Sequence, residues 1–85
     1  MNRSSTAEQR MHVLRTIATL GGLSDEECQR NTGLDGNSQR PRRIECVERG
    51  WVRDSGYKRK TMAGWKAIVW KVTMEGRAAL KAHKP

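Results

Sequence analysis

Apolar residues recur every three or four positions near the start of the chain, at Ala7, Met11, Leu14, Ile17 and Ala18. That rhythm predicts an amphipathic helix over about Thr6–Leu20. Capping-box spacing occurs twice at its start, in Ser5-Thr6-Ala7-Glu8 and in Thr6-Ala7-Glu8-Gln9. Gly21-Gly22 stops the helix, because glycine accepts the left-handed backbone that a helix end requires. A second start signal follows in Leu23-Ser24-Asp25-Glu26-Glu27-Cys28. Ser24 is the expected N-cap, Glu27 its reciprocal partner, and Leu23 with Cys28 a hydrophobic staple. The three acids suit the positive end of the helix dipole. This short helix should end near Asn31, before Thr32-Gly33, with Leu34 returning to the core.

Asp35-Gly36-Asn37 reads as a turn, and a third helix begins at Asn37 or Ser38. With Ser38 as cap, Pro41 falls at the third helical position, where its missing N–H costs little. The helix ends at Gly50, after Arg49. Its buried face is open. Ile44 with Val47 defines one choice, leaving Ser38, Arg42 and Glu45 outward; Cys46 with Val47 defines another, placing Arg43 near the core edge and Ile44 outward. The periodicity then changes. Trp51-Val52-Arg53-Asp54 alternates loosely before a turn at Ser55-Gly56, and Ala67-Ile68-Val69-Trp70-Lys71-Val72 is a β-branched, apolar strand. Residues 57–66 between them read as a long basic hairpin loop. A last short helix, capped at Thr73, runs to about Ala82.

At 85 residues the chain fits a single domain, 1–85, and is too short for a Rossmann fold or a TIM barrel. No apolar run is long enough to span a membrane, and the polar start lacks the apolar core of a signal peptide. Membrane-surface binding is disfavoured, since no segment pairs a basic face with a bulky apolar one. The net charge of +8 is unevenly placed. Residues 1–36 carry four basic and five acidic side chains, whereas residues 37–85 carry thirteen basic and four acidic. A basic second half points to a polyanion. Cys28 and Cys46 stand alone, and His12 and His83 are isolated, so no zinc set, other metal site or cofactor is expected. The cysteines read as small buried hydrophobes. No nucleophile–base pair or phosphate loop is present, and the chain is expected not to be an enzyme.

Helix, short helix, turn, basic helix and hairpin, followed by a closing helix, resemble a winged helix-turn-helix domain. The resemblance covers about residues 7–80 and is carried by Gly22-Leu23-Ser24-Asp25-Glu26-Glu27, Thr32-Gly33-Leu34, the run from Arg40-Pro41 to Trp51-Val52, and the ending Trp70 to Leu80. With Asp54-Ser55-Gly56 and Ala67-Ile68-Val69-Trp70, the chain is similar to small winged-helix proteins encoded by phages and prophages. The sequence departs from regulators of this fold at Cys46, where they usually carry leucine, so the core there should be looser or filled by a tryptophan. The implied fold is α+β: three helices with the helix-turn-helix at about 23–50, a two-stranded β-hairpin wing at about 51–72, and a C-terminal helix at about 73–82.

The implied function is non-enzymatic binding of double-stranded DNA by a phage or bacterial transcriptional or replication regulator, in the cytoplasm and associated with the nucleoid. The third helix would enter the major groove with Asn37, Ser38, Gln39, Arg40, Arg42 and Arg43 at its leading end. Lys58, Arg59 and Lys60, with Lys66 on the returning arm, would meet phosphates or the minor groove. A homodimer through the first or last helix would double the footprint. Trp65 is expected to pack at the hairpin root, and Trp51 and Trp70 in the core, because a chain without phenylalanine needs its aromatics there. Two other functions share this pattern. One is a protein-interaction adaptor using Tyr57 and Trp65; the other is RNA or single-strand binding by stacking plus cations.

Overall fold

A computed structural model describes residues 5–83. Its elements are α1 (Thr6–Leu20), α2 (Asp25–Thr32), α3 (Gly36–Glu48), β1 (Val52–Lys60), β2 (Lys66–Val72) and α4 (Met74–Ala82). Local sequence chemistry fixes the first two starts. Ser5 and Glu8 form a capping box on α1, and Ser24 and Glu27 form another on α2. In each, the serine hydroxyl accepts from the glutamate N–H, and the glutamate carboxylate accepts from the serine N–H. Leu23 and Cys28 are both buried, as a staple requires.

α1 is central, packing against α2, α3, α4 and β2. Its Met11, Val13, Leu14 and Ile17 form the core with Leu23, Cys28, Cys46 and Val52. Leu34, Trp51, Trp70, Val72, Ala79 and Leu80 close it from outside. Cys46 is wholly enclosed, with Trp51 and Trp70 among the groups packed around that core. Both cysteines are free thiols. Burial pushes the Cys28 thiol up to about 11 and the Cys46 thiol up to about 12, so neither is a nucleophile at neutral pH.

Several expectations are corrected. The third helix starts earlier than Asn37 or Ser38. Asp35 is its N-cap, accepting at Oδ1 from the Ser38 N–H at 2.9 Å. Aspartate is among the best capping residues, and it takes the turn that the glycine signal had claimed. Pro41 therefore lies in the second turn, not at the third position. Its missing N–H leaves the Asn37 carbonyl without a helical donor, at an exposed residue that water can serve.

The hairpin also differs. Ser55-Gly56 is not a turn between strand and loop; β1 runs through it to Lys60. Register is Asp54 opposite Trp70 and then Lys58 opposite Ile68, so residues 55–57 bulge against Val69 alone. Gly56 supplies the positive φ of 87° that the bulge needs. Its N–H donates to Asp54 Oδ1, and the Tyr57 N–H to Ser55 Oγ. The expected long loop reduces to a tight turn at Thr61–Trp65, closed by the Thr61 N–H on the Trp65 carbonyl at 2.7 Å.

One pairing was not foreseen. Leu23 bridges antiparallel to Trp70, with N–H to O distances of 3.0 and 2.8 Å in the two directions. The segment before α2 is thus a one-residue third strand at the free edge of β2. It fixes the helix-turn-helix directly to the hairpin.

Candidate nucleic-acid interface

The three acids opening α2 do more than cap it. Asp25 accepts from Arg43 Nε and Nη2 at 3.0 and 2.7 Å, and from the Gln39 amide at 3.0 Å. Glu26 accepts from Arg30 and from the Met62 N–H at the hairpin turn. Glu27 accepts from Arg59 on β1. Its carboxyl is held below the usual glutamate range, chiefly by that Arg59 hydrogen bond, with burial opposing. This first turn therefore joins α3 on one side to the hairpin on the other.

The predicted contact residues separate into groups. Gln39 is fully buried (0 % exposed) and cannot reach a base; its amide also accepts from Gln29 at 3.0 Å. Arg43 is 16 % exposed, held bidentately by Asp25, and its guanidinium carbon lies 4.1 Å from the centre of the Trp70 ring. Arg42 is likewise 16 % exposed and bidentate on Glu45, which also accepts from Arg10 of α1. Burial raises the Glu45 carboxyl, but the hydrogen bonds from Arg42 and Arg10 outweigh it and hold it below the usual range. Arg43 thus holds α3 to α2, and Arg42 is occupied by Glu45 of its own helix and reaches Gln9 of α1 at 3.4 Å, so neither stands free as a base reader. Ser38 is half-buried, while Asn37 and Arg40 are exposed.

The outward stripe of α3 is Asn37, Arg40, Ile44, Val47 and Glu48. This follows from the phase that buries Cys46 and carries Gln39 and Arg43 inward; Val47, expected inside in either phase, is outward. Ile44 is 45 % exposed, so its β-branched side chain faces the same surroundings as Arg40. Sequence reasoning left Ile44 out of the contact set. Its i, i+4 spacing from Arg40 was the available signal. Among the described residues Arg40 has no ion-pair partner. Its guanidinium lies over Gly36, where a Cβ would stand 2.7 Å from Nη1.

On the hairpin, all four predicted cations are exposed strand residues rather than loop residues. Lys60 sits directly opposite Lys66, and Lys58 opposite Ile68. Side chains two apart on a strand share a face, so Lys58, Lys60 and Lys66 lie on one face. Arg59, opposite Ala67, lies on the other and is occupied by Glu27. Like charges directly opposite one another destabilise a hairpin, and no acidic side chain among the described residues pairs with these lysines. Trp65 is not packed at the hairpin root but 74 % exposed at the turn. Among the described residues, no group of three His, Cys, Asp or Glu side chains could hold a metal ion. No helix among them is long and apolar enough to cross a membrane.

Three helices, the hairpin and the bridge at Leu23 define a winged helix-turn-helix domain. No protein-family model matches the sequence, and no curated protein sequence matches it. Solved structures do resemble the fold. Smu.1704 of Streptococcus mutans UA159 superposes with a TM-score of 0.78 at 12% identity, over 94% of this chain and 76% of that one. The multiple antibiotic-resistance repressor MarR of Listeria monocytogenes gives 0.70 at 15% identity, over 86% of this chain and 46% of that one. The reduced form of MarR from E. coli gives 0.67 at 18% identity, over 85% and 50%. The chain thus spans about half the length of these MarR proteins, and at such identities the likeness is one of fold.

Proposed function

We propose that this protein is a non-enzymatic double-stranded DNA-binding regulator of bacterial or phage origin. The outward stripe of α3 enters the major groove, and the lysine face of the hairpin lies on phosphates or in the minor groove. Asn37 and Arg40 carry the hydrogen-bonding chemistry for adenine and guanine edges, and Ile44 the apolar surface for a thymine methyl. The observation that carries this reading is Lys60 facing Lys66, with Lys58 on the same face and none of the three in an ion pair among the described residues. Such an arrangement is unfavourable alone and favourable against a polyanion. Resemblance to a structure described as a repressor supports the regulatory part. A homodimer, doubling the footprint, belongs to the same proposal.

The test is a salt titration of binding to duplex DNA. With Lys58, Lys60 and Lys66 as the phosphate-facing cations, the log–log slope should be about −2.7. Replacing the three lysines with alanine should remove most of that salt dependence. Absence of duplex binding at low salt in the wild type would overturn the proposal.

A further inference from the structure

The turn between β1 and β2 carries two large apolar side chains that the fold does not use. Met62 is 86 % exposed and Trp65 is 74 % exposed, in a chain with three tryptophans and no phenylalanine. The other two tryptophans pack against the core. This exposure does not come from a loose loop. The Thr61 N–H donates to the Trp65 carbonyl, the Gly64 N–H to the Thr61 carbonyl, and the Trp65 N–H to Thr61 Oγ1. The Met62 N–H is anchored on Glu26 of α2, 36 residues away in sequence. Both side chains are thus presented from a braced turn.

Their surroundings choose the occupant. Lys60 and Lys66 immediately flank the turn, and Lys58 follows on the same face. A protein partner with an apolar pocket would have to match three cations at its rim that form no ion pair among the described residues. A nucleic acid supplies both requirements together, phosphates for the lysines and base faces for the apolar groups.

We infer that Met62 and Trp65 form an apolar wedge that enters the minor groove, pries open a base step and bends the duplex. This rests on the DNA-binding function proposed above. The wedge is a separate property, because lysine–phosphate contacts alone insert nothing between base pairs. Apolar side chains inserted at a step unstack it and kink the helix by about 20–90° toward the major groove. Pyrimidine–purine steps open most readily, so the wedge favours TA and CA steps.

The experiment uses the full chain and a mixed-sequence duplex containing TA steps, with a donor and an acceptor dye at its two ends. Wild-type protein should raise energy transfer as it binds. Met62→Ala with Trp65→Ala should abolish that rise while weakening binding by only about tenfold, the scale of one lost base stack. Trp65→Phe should restore bending. The fluorescence difference between wild type and Trp65→Phe isolates Trp65, which should be quenched by the duplex. Binding without bending or quenching, bending that survives the double variant, or quenching by single strands alone would each overturn the wedge. Failure to bind the duplex at all would instead show up as the failure of the DNA-binding function, and the wedge would fall with it.

Discussion

Gln39 has no exposed surface, and both ends of its amide are hydrogen-bonded, to Asp25 and from Gln29. Removing it would leave two partners in a partly buried pocket with nothing to replace it. Gln39→Ala should lower stability by about 1–3 kcal/mol, read as a shifted urea midpoint with unchanged slope. Arg43 belongs to the same network, laid between Asp25 and the Trp70 ring. The residue scale is where the sequence misleads most. Glutamine and arginine at the start of a basic helix look like base readers, because that end usually meets DNA. Their partners sit in another helix, 14 and 18 residues earlier, and no local pattern announces a pairing at that distance. The exposure of Arg40, Lys58, Lys60 and Lys66 was legible because exposure is the default for unpaired cations.

At the level of elements, α4 depends on a single glycine. Gly76 is buried, and a Cβ there would stand 2.2 Å from the Trp51 carbonyl oxygen and 2.7 Å from Val72 Cγ2. The helix therefore approaches the start of β1 as closely as a bare backbone allows. Gly76→Ala should force α4 outward and cost about 1–3 kcal/mol, visible as a lowered Tm, despite alanine's better helix propensity. α1, α2 and α4 were readable from the chain because capping is local chemistry: Ser5 with Glu8, Ser24 with Glu27, and Thr73 all act within one turn. β1 was cut short because Ser55-Gly56 carries the same residue types whether it makes a turn or a bulge, and only pairing with β2 decides. The bridge at Leu23 left no periodic trace, being one residue long.

For the whole molecule, Glu45 and Glu27 join Asp25 in holding the parts together. Glu45 ties α3 to α1 through Arg10, with Arg42 of α3 on the same carboxylate, and Glu27 ties α2 to the hairpin through Arg59. Both are held below the ordinary value of 4.5. The unfolded chain therefore takes up protons at these groups first as the pH falls. Their stabilisation is complete above about pH 4.5 and is lost as the pH drops through the folded-state values beneath it. Urea unfolding should accordingly show a midpoint that declines below about pH 4.5. In Glu45→Gln the neutral-pH midpoint should start lower and the acid decline should be shallower.

The lysine pair at the hairpin end has a consequence for energetics as well as recognition. Two lysines at facing register positions keep a repulsion inside the unliganded molecule, and the polyanion proposed above would discharge it. Occupancy should then stiffen β1 and β2 at the end next to the turn. The partner would complete the sheet's own stability rather than merely rest against it.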